Sequence, residues 1–136
     1  MSQAAKPAPA SRKIAAPEPT PGSKPYWDAA SAGKLMIGAC RACNKVHHYP
    51  RAICPHCFST EVELKQSSGR GTIYTYSVMR RVPEPYTIAY VTLDEGVTLM
   101  TNLVDCDFDQ LAIGQKVAVV FRPSEKGQVL PMFKPV

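Results

Sequence analysis

The chain has 136 residues, is 45% hydrophobic and 20% charged, and carries a formal net charge of +5. That length suffices for one small domain, or for a small domain with a metal-clamped appendage. No apolar run is long enough to cross a bilayer, so no transmembrane helix is predicted; the N-terminus has no continuous apolar segment of the kind that directs export, and a cytoplasmic location is expected.

Residues 1–25 differ from the rest. They hold six of the 13 prolines and six alanines, no aromatic residue, and one large aliphatic, Ile14. Such a stretch buries too little apolar surface to offset its ordering entropy. It reads as a disordered Ala/Pro-rich tail, a transit peptide being the other reading. Lys6, Arg12, Lys13 and Lys24 against Glu18 give this tail +3 of the total charge, which leaves +2 for the body.

Residues 26–66 read as a helix plus a metal-bound ribbon. Tyr26-Trp27-Asp28-Ala29-Ala30-Ser31-Ala32-Gly33 is Ala-rich and ends in glycine, as a short helix with a glycine cap does. Tyr26 and Trp27 are large anchors on a helix with little else to bury, so they are candidates for docking, within the chain or on a partner. Leu35–Ala39 then reads as a strand, Val46–Arg51 as its return and Phe58–Lys65 as the strand that leaves.

Between these segments lie Cys40-Arg41-Ala42-Cys43 and Cys54-Pro55-His56-Cys57, two CxxC pairs ten residues apart. Each pair wraps one side of a small cation, and two pairs complete a tetrahedral set of four sulfurs that suits zinc. Four thiolates close the coordination sphere, so the predicted Zn2+, one per chain on Cys40, Cys43, Cys54 and Cys57, is structural. A rubredoxin-like iron site has the same ligands; disulfides need an oxidising compartment, and a redox CxxC usually stands alone. An element this small takes much of its folding energy from the metal. Zinc with four thiolates adds a formal −2, which brings the body near neutrality and argues against a binder of long nucleic acid. Cys106 has no such partner and reads as an ordinary half-buried thiol. His47, His48 and His56 read as ribbon-surface residues or neighbours of the metal.

Ser67-Ser68-Gly69-Arg70-Gly71 marks a turn or hinge. Residues 67–136 beyond it show a β pattern: strands over Thr72–Met79, Tyr86–Leu93, Val97–Val104, Lys116–Phe121 and Val129–Phe133, with a hairpin turn at Asp94-Glu95-Gly96 and a helical turn within Phe108–Ile113. Five short strands with an insertion after the third fit a five-stranded barrel of the OB type, an SH3-like barrel being the main alternative. The chain is thus expected to be mainly β. Tyr74 and Tyr76 are placed on one strand face by the period of two.

No nucleophile–base constellation, Gly-rich phosphate loop or HExxH motif is present, so no catalytic residue is assigned. From Lys34 to Arg81 there are eight basic residues and two acidic ones, whereas Val82–Val136 holds four basic and seven acidic. The basic half suits a compact polyanion or is simply a solvated surface. Arg51, Arg70, Arg80 and Arg81 are the candidate phosphate contacts, because a guanidinium grips phosphate oxygens in a bidentate way.

The ordered set of features resembles an acyl-CoA-associated family that joins a rubredoxin-like zinc ribbon to a C-terminal OB-fold. The resemblance runs from Tyr26 to Pro135 through Tyr26-Trp27, Gly33-Lys34-Leu35, both CxxC pairs, Pro50-Arg51, Gly69-Arg70-Gly71-Thr72-Ile73-Tyr74-Thr75-Tyr76, Pro85-Tyr86, Val91-Thr92-Leu93-Asp94-Glu95-Gly96, Ile113-Gly114 and Pro131-Met132-Phe133-Lys134-Pro135. It departs from the family in the short link Val82–Pro85. Members look like partners of thiolase-fold enzymes, so the resemblance implies a non-catalytic accessory subunit that binds acyl-CoA or supports its binding by the partner. The alternative is a nucleic-acid-binding ribbon and OB protein, since Tyr74, Tyr76, Arg80 and Arg81 interleave aromatic and basic side chains.

Overall fold

A computed structural model describes residues 13–136. The first part of the expected tail, residues 1–12, lies outside the described residues. Its remainder is placed on the body: the Ile14 carbonyl accepts a hydrogen bond from the Glu125 N–H at 2.8 Å, and Thr20 and Ser23 bond each other as the chain turns into the helix.

Helix α1 spans Lys24–Ser31, two residues earlier than the aromatic pair suggests. Pro25 is tolerated there because the first turn has no acceptor for its missing N–H. Gly33 closes the helix at φ +80°, with its N–H on the Ala30 carbonyl and the Lys34 N–H on the Ala29 carbonyl. That pair of bonds is a Schellman motif, and the left-handed φ is why glycine stands there.

Three strands form the ribbon sheet: β1 (Met36–Cys40), β2 (Val46–His47) and β3 (Val62–Gln66), in the order β2-β1-β3, all antiparallel. β2 and β3 are shorter than the sequence pattern suggests. The second knuckle takes up the difference: Phe58, at φ +65°, donates its N–H to the Cys54 carbonyl, and the Cys54 N–H reaches the Ser59 carbonyl.

Five strands form the second sheet: β4 (Arg70–Met79), β5 (Tyr86–Leu93), β6 (Thr98–Asn102), β7 (Lys116–Pro123) and β8 (Val129–Pro135), in the order β6-β5-β4-β7-β8. The sheet curls until Leu103, just past β6, bridges Phe133 on β8 in parallel. The result is a mainly β chain with one short N-terminal helix, a zinc-ribbon region and a curled five-stranded half-barrel of the OB type. β4 pairs with β5 along its length, but with β7 only through Arg70–Thr72. A register shift between Ile73 and Thr75 interrupts the alternation on β4. Tyr74 therefore points to solvent, 67% exposed, while the Tyr76 hydroxyl donates to the Leu111 carbonyl at 2.9 Å. The two tyrosines do not share a face, because the bulge adds one residue to the period of two.

One apolar core runs through both sheets. Ile73, Val91, Leu93, Leu103, Val117 and Phe133 fill the barrel, and Tyr26, Leu35 and Ile37 continue the cluster into the helix and ribbon. Gln128, in the β7–β8 turn, donates to the Trp27 carbonyl and the Ser31 hydroxyl of α1. Among the described residues no helix is long and apolar enough to cross a membrane.

Candidate functional site

Each CxxC pair sits in a knuckle with the same backbone plan. Asn44 and Phe58, each one residue past its pair, adopt φ of +61° and +65° and donate their N–H groups to the Cys40 and Cys54 carbonyls at 2.9 Å. The Cys40 and Cys54 N–H groups likewise reach the Lys45 and Ser59 carbonyls. This folding turns all four sulfurs inward, within 4.8 Å of one another. The Cys40–Cys57 and Cys43–Cys54 Sγ separations are 3.6 and 3.7 Å. A tetrahedron with Zn–S bonds of about 2.3 Å has edges of about 3.8 Å, close to both of these separations.

Their ionisation points the same way. Burial opposes the Cys54 thiolate, but the N–H groups of Cys57 and His56 and the thiols of Cys43 and Cys40 outweigh it and bring Cys54 down to about 6. The Ser59 N–H favours the Cys57 thiolate, yet burial and the other three sulfurs push Cys57 up to about 12. Four thiolates at this spacing would repel one another, and a cation among them removes that cost. The four cysteines therefore form a structural metal site with no position left for water or substrate. Cys106 lies apart from the cluster, half-buried, and burial with Asp105 and Asp107 raises it to about 11.

The histidines have three different roles. His56 holds the Val46 carbonyl through Nε2 at 3.1 Å, and its N–H reaches the Cys54 sulfur at 3.3 Å. His48 bonds the Tyr26 hydroxyl at 3.2 Å; burial, then nearby His47, lowers it to about 4, so its ring is neutral near pH 7. His47, read from the sequence as a ribbon-surface residue or a neighbour of the metal, is 3% exposed. Its ring lies over Gly38 on the neighbouring strand, where a Cβ would stand 2.1 Å from Nε2. Only glycine leaves room for that ring.

Tyr26 docks within the chain. It is 3% exposed and packs edge-on against Trp27, His48 and Tyr49, so its ring is used inside the chain. Trp27 is half-buried and donates its indole N–H to the Tyr49 hydroxyl at 2.7 Å.

The four candidate arginines are not gathered into one cluster. Arg70 opens β4 and Arg80 and Arg81 follow its end, so they are separated by a ten-residue strand, roughly 30 Å long at the usual rise. Arg80 pairs with Asp109 at 2.9 Å, and Arg51 lies in the ribbon. Charge counts along a chain carry no information about which end of a strand a residue occupies.

Sequence reasoning also missed a clasp at the hinge. Glu95, in the β5–β6 turn, accepts the Ser67 hydroxyl at 2.8 Å and the Ser68 N–H at 2.7 Å. Burial opposes its charge, but these donors prevail and hold its carboxyl below the ordinary value. The sequence places Glu95 only in a hairpin turn.

With this geometry the comparisons with known proteins agree. Models of the ChsH2 rubredoxin-like zinc ribbon domain and the ChsH2 C-terminal OB-fold domain match residues 27–63 and 64–122. The chain belongs to the ChsH2 zinc-ribbon and OB-fold family. A relative from Methanocaldococcus jannaschii, described as a DUF35 domain-containing scaffold protein, is 40% identical over 95 residues, which cover 64% of this chain and 67% of that protein. A probable enoyl-CoA hydratase alpha subunit from Thermomonospora curvata is 35% identical over 115 residues, 81% of this chain but 36% of that protein. The chain thus spans about a third of the length of that hydratase subunit. The solved structure of an Ltp2-ChsH2(DUF35) aldolase contains a chain 33% identical, with a TM-score of 0.80, covering 88% of this chain and 98% of that one.

Proposed function

We propose that this ChsH2-family chain is an accessory subunit that docks on a thiolase-fold enzyme of acyl-CoA metabolism and supports acyl-CoA binding there. The observation that carries this reading is the likeness to the aldolase-complex chain, extending over 98% of that chain. The closed four-cysteine site is consistent with it, since a fully ligated metal holds a fold and leaves no place for substrate. On this reading the ion is one Zn2+ per chain, the catalytic groups belong to the partner, and the complex is cytoplasmic.

The arginines enter as separate contacts. Arg51, Arg70 and Arg81 meet CoA phosphates from different sides of the chain or across the partner interface, and Arg80 does so by exchanging Asp109 for a phosphate. Trp27, half-buried beside exposed Tyr49, is the part of the aromatic group left for a partner. The test is affinity capture of the tagged chain from its native cells, followed by mass spectrometry and an acyl-CoA assay. Co-purification of a thiolase-fold enzyme whose KM for its acyl-CoA rises when the chain is removed supports the proposal. Steady acyl-CoA turnover by the purified chain alone overturns the accessory role. Capture of nucleic acid in place of an enzyme favours the other function.

A further inference from the structure

A hollow of about 300 Å³ opens between the start of α1 and the ribbon sheet, lined by Gly22, Pro25, His47, Arg51, Thr60 and Leu64 among others. That volume is at the small end of ligand pockets. The register of the ribbon explains its floor. His47, Gly38 and Leu64 stand opposite one another on β2, β1 and β3, so their side chains share one face. Gly38 contributes no side chain, and the imidazole lies across the gap it leaves. Glu63 also borders the hollow, but it pairs with Ala39 and is exposed; strand alternation turns its carboxylate to the other face.

The polar groups at this hollow are unspent. His47 is 3% exposed, yet neither of its ring nitrogens has a hydrogen-bond partner among the described residues. Buried polar groups are nearly always paired, so an imidazole with two orphaned nitrogens in the floor of a cavity calls for a partner outside the described residues. Arg51 makes no ion pair among the described residues; burial, then His56, then Arg51 disfavours the charged form of the His47 ring. Arg51 and His47 both line this space and carry N–H donors, with Glu63 on its border.

We propose that this hollow is a phosphate subsite, in which the Arg51 guanidinium grips two oxygens and the His47 imidazole donates to a third. To reach the ligand, the imidazole packed over Gly38 must turn about its Cβ–Cγ bond until an N–H enters the hollow. Phosphate suits the site better than a carboxylate because its tetrahedral oxygens leave one for the ring after the fork has taken two. The assignment of CoA as the source of that phosphate rests on the accessory-subunit reading above; the subsite itself does not.

The experiment uses the full zinc-loaded chain, with imidazole nitrogen NMR and calorimetry against inorganic phosphate, CoA and 3′-dephospho-CoA. The His47 resonances should move with phosphate and with CoA, and the 3′-dephospho form should bind about tenfold more weakly. Arg51→Gln, at an exposed position that leaves the core intact, should weaken both ligands by a similar factor. His47→Asn should do so too; if it fails to fold, the wild-type His47 signal and Arg51→Gln still decide. Movement of His47 by inorganic phosphate without any CoA binding keeps the subsite and overturns CoA as its source. CoA binding that leaves the His47 signal still and is unchanged in Arg51→Gln overturns the subsite and spares the accessory role. A His47 signal unmoved by every ligand overturns the subsite outright.

Discussion

The ribbon sheet of β2, β1 and β3 buries few large apolar side chains, chiefly Leu35 and Ile37 at its junction with the helix, whereas the barrel encloses Ile73, Val91, Leu93, Leu103, Val117 and Phe133. Both regions must offset the same entropy per ordered residue. The barrel does so by removing apolar area from water. The ribbon does so through the four-cysteine site, with sulfurs 3.6 and 3.7 Å apart across the knuckles. Two regions of one chain therefore have different vulnerabilities: one to chelators and thiol chemistry, the other to cavities.

The sharpest break in this comparison is removal of the metal. Chelation, or Cys54→Ser, should unfold the ribbon and leave most of the barrel's β signal, because metal-binding energies of order 10 kcal/mol are lost where little else holds the fold. Circular dichroism with metal analysis checks this; a full two-state collapse of both regions would show that the shared core couples them. Next comes Phe133→Ala, which should cost about 3–5 kcal/mol. Phe133 is fully buried and its carbonyl accepts the Val104 N–H where the sheet curls shut. Denaturant unfolding should shift strongly while metal content stays unchanged, the converse of the cysteine variant.

Gly38→Ala tests the ribbon from within and should cost about 1–3 kcal/mol. A new Cβ would stand 2.1 Å from the His47 ring, so the imidazole must leave its place. Thermal unfolding measures the loss, and an unchanged melting point would show that the ring moves freely. The smallest effect belongs to the junction. Glu95→Gln should cost about 1 kcal/mol through weakened bonds to Ser67 and Ser68. The Glu95 carboxyl is lower in the folded state than its ordinary 4.5, so its contribution is full above that pH and is lost as pH falls through the folded value. The gap between wild type and Glu95→Gln should therefore close below about pH 4.5 in parallel acid-unfolding titrations.

Much of this architecture was legible as sequence. The two CxxC pairs read as a metal site because thiolates at that spacing have few other uses, and the glycine at Gly33 marked a helix end that the structure closes with a Schellman motif. β5 falls on Tyr86–Leu93, as its β-branched and aromatic run predicts. The residue pattern starts a strand at Phe58, but Phe58 is part of a knuckle, its left-handed backbone imposed by the chain wrapping around the sulfurs. The period of two puts Tyr74 and Tyr76 on one face, and a bulge that leaves no mark in residue types separates them.

By itself the sequence determined the elements, the metal ligands and the two-part order of ribbon and barrel, because short-range periodicity and cysteine spacing act over a few residues. Only the tertiary structure decided which side chains share a site. It turned Tyr26 inward, set Arg70 and Arg80 at opposite ends of β4, clasped Glu95 to Ser67, and buried His47 over Gly38 beside the hollow. Such placements depend on strand register and on close packing between segments far apart in the chain, and register is set by the whole core rather than by any local run of residues.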